Sequence, residues 1–304
     1  MKDHTVCVLL VCMSMLVRIP ILMYHGIADT PDDDAPSEWS ARHTVTNEAF
    51  RAQLALLDAE RWRTLLPDDF AEAARVGTRK QIVITFDDGH NSDTRAADAL
   101  ARHKMKALFF ITWSHLDRSG FLTRSEVLAL ASQGFAIGSH GLTHTRMSGL
   151  DEQALWRELF ESRSRLEDLI GTPVLDFACP FGAYNPRVIA CARAAGYRTV
   201  MTSDIRRAAI GIDSVLPRLP IRCDTHTDDF KAMLSEGTLM IAWRRWRLGL
   251  ARRRRKLEQI LLNGWGGRLK RNGRNETSAT TGREAGVSLA VQLNVVDRGK
   301  VDPG

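Results

Sequence analysis

Two adjacent carboxylates, Asp87 and Asp88, directly follow the apolar run Ile82-Val83-Ile84, inside the string TFDDG. At the end of a buried strand such a pair repels itself, and burying it is costly without compensation. A bound cation compensates, with one carboxylate as ligand and the other left free as a base. An exposed Asp-Asp-Gly turn is the plain alternative. About fifty residues on, SHGLTHT places His140 and His144 at positions i and i+4. They share a face if the segment is helical, and a tight loop also converges them on one ion. Imidazole nitrogen and carboxylate oxygen are the donors of a catalytic zinc-type ion that keeps positions open for water. Capping or surface histidines would explain a lone His-x-x-x-His. The apolar strand just before this one weighs against that.

A third polar cluster, Ala178-Cys179-Pro180-Phe181-Gly182-Ala183-Tyr184-Asn185, also follows an apolar run. By itself its Pro and Gly read as a turn.

The elements that must position these clusters alternate. Ile19 to Ile27 reads as a buried strand ending in a polar cluster, and Gln81 to Phe86 as a strand buried on both sides. Ala107 to Thr112, Phe135 to Ser139, Val174 to Ala178 and Tyr197 to Thr202 continue the series. Between them lie helices. One has Thr46 as N-cap and Phe50, Leu54 and Leu57 on one face. Others run near Ser92 to His103, from a Thr123/Glu126 capping box to Gln133-Gly134, over Asp151 to Ile170 with a stripe of Leu155, Leu159, Leu166 and Leu169, and from Pro186 to Gly196. Strands alternating with helices imply an α/β fold with a parallel sheet, either open and doubly wound or a (β/α) barrel. Six or seven units favour a barrel, an incomplete one. In such folds the site forms where strands end, which is where all three clusters lie.

The 304 residues accommodate one large domain plus extensions, and 44% apolar with 26% charged residues is ordinary for a globular protein. The net charge of +6 is misleading as an average: Met240 to Arg274 holds twelve Lys or Arg against one Glu, so the remainder is acidic. The five cysteines (Cys7, Cys12, Cys179, Cys191, Cys223) form no CxxC pair and read as free thiols. Val6 to Val17 is an apolar stretch of signal-peptide length, too short for a bilayer, with a poor basic flank; a signal or anchor and a buried strand are both open. The expected division is an N-terminal apolar segment (1–18), a catalytic domain (19–235) and a basic, partly disordered extension (236–304). WRRWRLGLARRRRKLEQILL in that extension could form an amphipathic helix lying on an anionic membrane or acidic glycan, or a solvated tail. No stacking platform or base-reading motif accompanies the charge, so no nucleic-acid partner is expected.

In this order and spacing the three clusters resemble the NodB-homology domain of the polysaccharide deacetylases, carbohydrate esterase family 4. The resemblance runs from about Ile19 to Phe230, and TFDDG followed by SHGLTHT is its specific part. It implies a distorted (β/α) barrel and a metal-dependent hydrolase that removes acetyl groups from a polysaccharide of exopolysaccharide or cell-envelope type. Asp87 would be the general base, and Asp88, His140 and His144 would hold a divalent ion, zinc by default with cobalt or nickel able to substitute. Water activated by ion and base would attack the acetyl carbonyl. A backbone N–H near Phe181 or Gly182 would stabilise the oxyanion, Pro180-Phe181-Gly182 would line the groove, and Tyr184 would stand nearby. Two positions depart from the family pattern. Ala178 stands where many members carry an Arg that orients the base, and Leu216-Pro-Arg-Leu-Pro-Ile221 lacks the late Leu-x-His that supplies the acid. Both departures resemble the poly-N-acetylglucosamine deacetylase subgroup, in which a His of an early MYHxI-like strand is the acid; Met23-Tyr24-His25-Gly26-Ile27 matches, making His25 the expected acid. His25 as a core histidine that orients a carboxylate is the alternative. Without the Arg, a weak or inactive glycan-binding relative is the competing function. A metallo-phosphoesterase would need more ligands than one Asp pair and one His pair. The compartment stays open between envelope or periplasm and the cytoplasmic face of the membrane.

Overall fold

A computed structural model describes residues 17–29, 41–77, 80–211 and 213–235. The N-terminal segment up to residue 16, with Cys7 and Cys12, and the basic extension from 236 lie outside the described residues. Cys179, Cys191 and Cys223 are free thiols, as expected.

Eight short strands make the main sheet: β1 (Ile21–Tyr24), β2 (Gln81–Phe86), β3 (Leu108–Ile111), β4 (Ala136–Ser139), β5 (Asp176–Ala178), β6 (Thr199–Met201), β7 (Val215–Leu216) and β8 (Leu219–Pro220). Their hydrogen-bonded order is β7-β6-β5-β4-β3-β2-β1-β8, every neighbouring pair is parallel, and Arg63–Thr64 pairs alongside β2. Strand residues alternate between two cores, as the period of 2 requires. Leu22, Tyr24, Ile82, Ile84, Phe86, Phe109, Ile137 and Phe177 pack against the helices. Ile21, Val83, Leu108, Phe110, Ala178, Met201 and Leu216 pack against one another inside the curl. The two edge strands, β7 and β8, are separated in sequence by Pro217 and Arg218 alone. Three Cα steps reach at most ~11 Å, about two strand spacings of ~4.8 Å. The edges therefore face each other, and the sheet is a distorted barrel left unpaired at one seam.

The helices are α1 (Asn47–Ala59), α2 (Phe70–Val76), α3 (Asp93–Arg102), α4 (Arg124–Ser132), α5 (Glu152–Ile170), α6 (Pro186–Ala194) and α7 (Thr227–Leu234). Their starts are chemically marked: Thr46 accepts from Ala49 N–H, Thr123 and Glu126 form a reciprocal capping box, Asp151 caps α5, and Asn185 caps α6 beside a proline. The expected strand from Ile19 to Ile27 is broken into three pieces. Arg18–Ile19 pairs antiparallel with Ala208–Ala209, and Ile27–Ala28 pairs with Val45–Thr46, so only Ile21–Tyr24 belongs to the barrel. Pro20, which has no N–H to donate, marks the first break. Among the described residues no helix is long and apolar enough to cross a membrane.

Candidate active site

Strand β2 ends at Phe86, and the chain delivers Asp87 and Asp88 from its C-terminal end. Asp87 N–H donates to Tyr24 O across the strand pair (3.0 Å). Asp88 then turns into the left-handed region (φ 80°), followed by Gly89 (φ 75°), so the two neighbouring carboxylates diverge. Both are buried, at 2% and 7% exposure.

Asp88 meets the histidines. Its Oδ1 lies 3.1 Å from His140 Nε2 and 3.0 Å from His144 Nε2. His140 Nδ1 lies 2.9 Å from Ala178 O, an acceptor, so Nδ1 carries a proton and Nε2 is the nitrogen turned toward Asp88. A lone pair facing a carboxylate at that distance is unfavourable unless a cation lies between them. Asp88 Oδ1 is buried with no hydrogen bond of good geometry. An ion at ~2.0–2.2 Å from each ligand in a tetrahedral site sets neighbouring donors ~3.3 Å apart, close to what is found. The three residues are the one His/Cys/Asp/Glu group among the described residues whose ligand atoms converge, within 4.8 Å of one another. They fit a divalent ion. Burial alone would raise the Asp88 carboxyl; with no ion between them, hydrogen bonds donated by protonated Nε2 of His140 and His144 overcome this and hold it well below the usual range.

His140 and His144 converge through a loop, the second of the two arrangements the spacing allowed. Glu158, buried on α5, holds that loop by accepting from Leu142 N–H (2.9 Å), Thr143 N–H (3.0 Å) and the Thr143 hydroxyl (2.5 Å). Gly141 is required here: its φ is 87°, and a Cβ would come within 2.7 Å of Met147.

Asp87 meets a cation of the chain itself. Arg218 Nη1 donates to Asp87 Oδ1 (2.6 Å) and Nη2 to Oδ2 (2.8 Å), a bidentate pair. Its remaining donors reach Thr85 Oγ1 (3.1 Å) and Thr202 O (3.2 Å), and the guanidinium lies 5.4 Å from the Phe110 ring centroid. Arg218 is fully buried. Burial pushes the Asp87 carboxyl up, and Arg218 more than reverses this, so the net shift is downward and the group is ionised. The expectation that the missing Arg at Ala178 leaves the base unsupported is therefore corrected: the guanidinium arrives at the barrel seam instead. The signal was an arginine inside the apolar Leu216-Pro-Arg-Leu-Pro-Ile221, a place where a charge needs a carboxylate partner.

His25 follows β1 directly, and the charges of Asp88 and Asp87 reach it. Burial lowers its pKa, and the two carboxylates act against that. Its ring lies 5.0 Å from that of His43, a neighbour the sequence did not point to, which burial and then His25 push down to about 4. His115 was likewise unforeseen. Its ring lies 4.2 Å from Phe121 and 5.6 Å from His144, and burial followed by His144 lowers it to about 4.

Pro180, Phe181 and Gly182 form a single turn after β5. Phe181 is left-handed (φ 58°), a costly state for a bulky side chain, and 53% exposed. Its ring lies 4.6 Å from the His144 ring and under the Arg146 guanidinium at 4.7 Å. Gly182 N–H donates to Cys179 O (2.9 Å), whereas no acceptor among the described residues takes the Phe181 N–H. Gly182 also packs so closely on Ser203 that a Cβ would lie 2.7 Å away. The Tyr184 hydroxyl donates to Asp204 Oδ2 (2.6 Å), which raises it to about 12, so Tyr184 is tied to the β6 side and not to the ion site.

Residues 74–200 match the family model described as polysaccharide deacetylase. YxkH of Bacillus subtilis is 27% identical over 191 residues, covering 62% of this chain and 65% of that protein. The chitooligosaccharide deacetylase of Rhizobium leguminosarum bv. trifolii is 28% identical over 141 residues, covering 45% of this chain and 64% of that one. The chain thus spans just under two thirds of the length of these relatives. The crystal structure of a Bacillus cereus polysaccharide deacetylase superposes with a TM-score of 0.64 at 24% identity, over 72% of this chain and 69% of that one.

Proposed function

The chain carries a polysaccharide deacetylase domain of the NodB-homology type, and from that premise we propose that it is a metal-dependent hydrolase removing acetyl groups from an N-acetylated polysaccharide of the exopolysaccharide or envelope class. The observation that supports this reading is the divergence of one Asp-Asp pair, Asp88 toward His140 and His144 and Asp87 toward the buried Arg218.

When bound, a divalent ion supplies Lewis acidity toward the acetyl carbonyl and lowers the pKa of water. Asp88, His140 and His144 would hold it, and their nitrogen and oxygen donors suit zinc, with cobalt or nickel as substitutes. Asp87 Oδ accepts the proton of the attacking water. Arg218 keeps that carboxylate ionised and fixed in plane. The Phe181 N–H is the backbone donor left to meet the oxyanion. His25 would deliver a proton to the departing amine; burial holds its pKa below the ordinary value, and the charges of Asp88 and Asp87 offset part of that. Pro180, Phe181 and Gly182 line the approach, and Tyr184 borders it. A glycan-binding relative without turnover was reasonable while the base lacked a partner, and Arg218 removes that reason.

The test is acetate release from N- and O-acetylated oligosaccharides, before and after chelation and zinc replacement, with zinc content measured alongside. Metal-dependent release supports the reading. Zinc bound without release from any substrate would leave a binding protein, and no zinc bound would remove the site.

A further inference from the structure

Arg146 has no role in the steps above, yet its setting is unusual. It is exposed, and its guanidinium is laid over the Phe181 ring at 4.7 Å. Among the described residues no carboxylate pairs with it, so its charge is not already neutralised by the protein. Phe181 is itself held in a strained backbone state against the ion ligand His144. An arginine stacked on an aromatic face keeps the N–H donors on its edge available, and their planar fork matches a carboxylate. The stack also fixes the fork beside the reacting centre, so little freedom is lost when an anion binds.

Other cations surround the site. The charge of Arg118 reaches His115, and those of Arg42 and Arg222 reach His43. The carboxylate acting most on both histidines is Asp88, which is committed to the ion site.

We infer that Arg146 reads a carboxylate on the sugar next to the N-acetylated one, so that the substrate is an acidic glycan in which N-acetylhexosamine alternates with a uronic acid. This inference rests on the deacetylase reading. A neutral polymer would leave the stacked guanidinium facing water, whereas a uronate accepts two parallel hydrogen bonds from it.

The experiment measures binding by calorimetry and acetate release separately, on the zinc-loaded full chain. Three oligosaccharides of equal length are compared: an N-acetylglucosamine oligomer, an N-acetylglucosamine–glucuronate oligomer, and a phosphate-bearing N-acetylglucosamine oligomer. The uronate oligomer should bind about ten-fold more tightly than the neutral one at low salt, with the advantage shrinking as salt rises. In Arg146→Gln that ratio should collapse to within two-fold, and in Arg146→Lys it should be intermediate, because the charge remains and the fork does not. Equal binding of the neutral and uronate oligomers by the wild type overturns the inference. So does an unchanged ratio in Arg146→Gln, or a phosphate oligomer that binds more tightly than the uronate one. Absence of acetate release from all three, with zinc bound, would instead defeat the deacetylase reading, and the binding ratio would still decide the role of Arg146.

Discussion

Asp87 and Asp88 are neighbours in sequence, equally acidic in composition and both buried, yet their surroundings are opposite. The barrel seam supplies Asp87 with a bidentate guanidinium, complete without any ligand. Asp88 faces two imidazole nitrogens and, among the described residues, no guanidinium or ammonium pairs with it. The difference lies in who neutralises the charge. A carboxylate neutralised by the protein is locked in place and, on the proposed reading, stays available to a proton, while one facing two imidazoles would serve as the ligand. Asp93 on α3 is a third outcome. Both its oxygens are buried without a hydrogen bond of good geometry, and burial followed by the charges of Asp88 and Asp87 raises it well above the ordinary carboxylate range.

The largest expected effects come from exchanging each carboxylate for its amide. Asp87→Asn should lower kcat by roughly 10²–10⁴-fold while zinc binding stays within a few-fold of the wild type. Asp88→Asn should lose zinc, and activity with it. Metal content and single-turnover acetate release on both variants would check this. If both lost zinc equally, the division of labour between the two residues would be wrong.

Removing the internal cation should come next. Arg218→Gln leaves a buried carboxylate uncompensated, at a cost of about 3–5 kcal/mol, read by urea denaturation. The sign of the pH effect follows from the depressed Asp87. Its stabilisation is present above the unfolded carboxylate value and lost as pH falls through the lower folded one. Without Arg218, burial prevails, and the acid limb of kcat/KM should move to higher pH. The double variant Asp87→Leu/Arg218→Met should regain much of the stability and none of the activity. An acid limb that stays in place in Arg218→Gln would mean that Arg218 braces the seam without tuning the base.

The Asp88 half of this contrast was legible in the sequence, and the other half was not. TFDDG and SHGLTHT each follow an apolar run long enough to be read as a strand, and the strand fixes which end carries the polar cluster. Arg218 lies 131 residues from Asp87 and between strands of two residues each, too short to show any period. The alternation of elements indicated a barrel. The closure at Pro217-Arg218 depends on two edges meeting in space, which no local pattern encodes. His43 and His115 were invisible for the same reason, since each sits in a single 3-10 turn, Ala41–His43 and Trp113–His115, too short to carry a periodic signal.

A smaller effect tests whether Asp88, His140 and His144 await an ion. Zinc at 100 times its dissociation constant should stabilise the metal-free protein by about 2.7 kcal/mol, seen as a rise in Tm. Asp87→Asn should show the same rise and Asp88→Asn little of it. A rise that survives in Asp88→Asn would place the ion elsewhere.

The smallest effect concerns His43, which borders the site without belonging to either carboxylate. Its folded pKa is lowered to about 4, chiefly by burial and then by His25 and Arg222, against an ordinary value of 6.5. The unfolded chain therefore takes up this proton first. Above pH 6.5 the residue contributes no pH dependence, and between 6.5 and about 4 the folded state loses stability as pH falls. The full shift would correspond to ~3 kcal/mol; the ring is only partly buried, so about 1–2 kcal/mol is the expected size. His43→Asn, which cannot take the charge, should flatten the stability profile of the metal-free protein in that window by this amount and leave it unchanged above pH 7. An identical slope in variant and wild type would show that the acid sensitivity of the rim arises from the carboxylates, and that His43 titrates alike in both states.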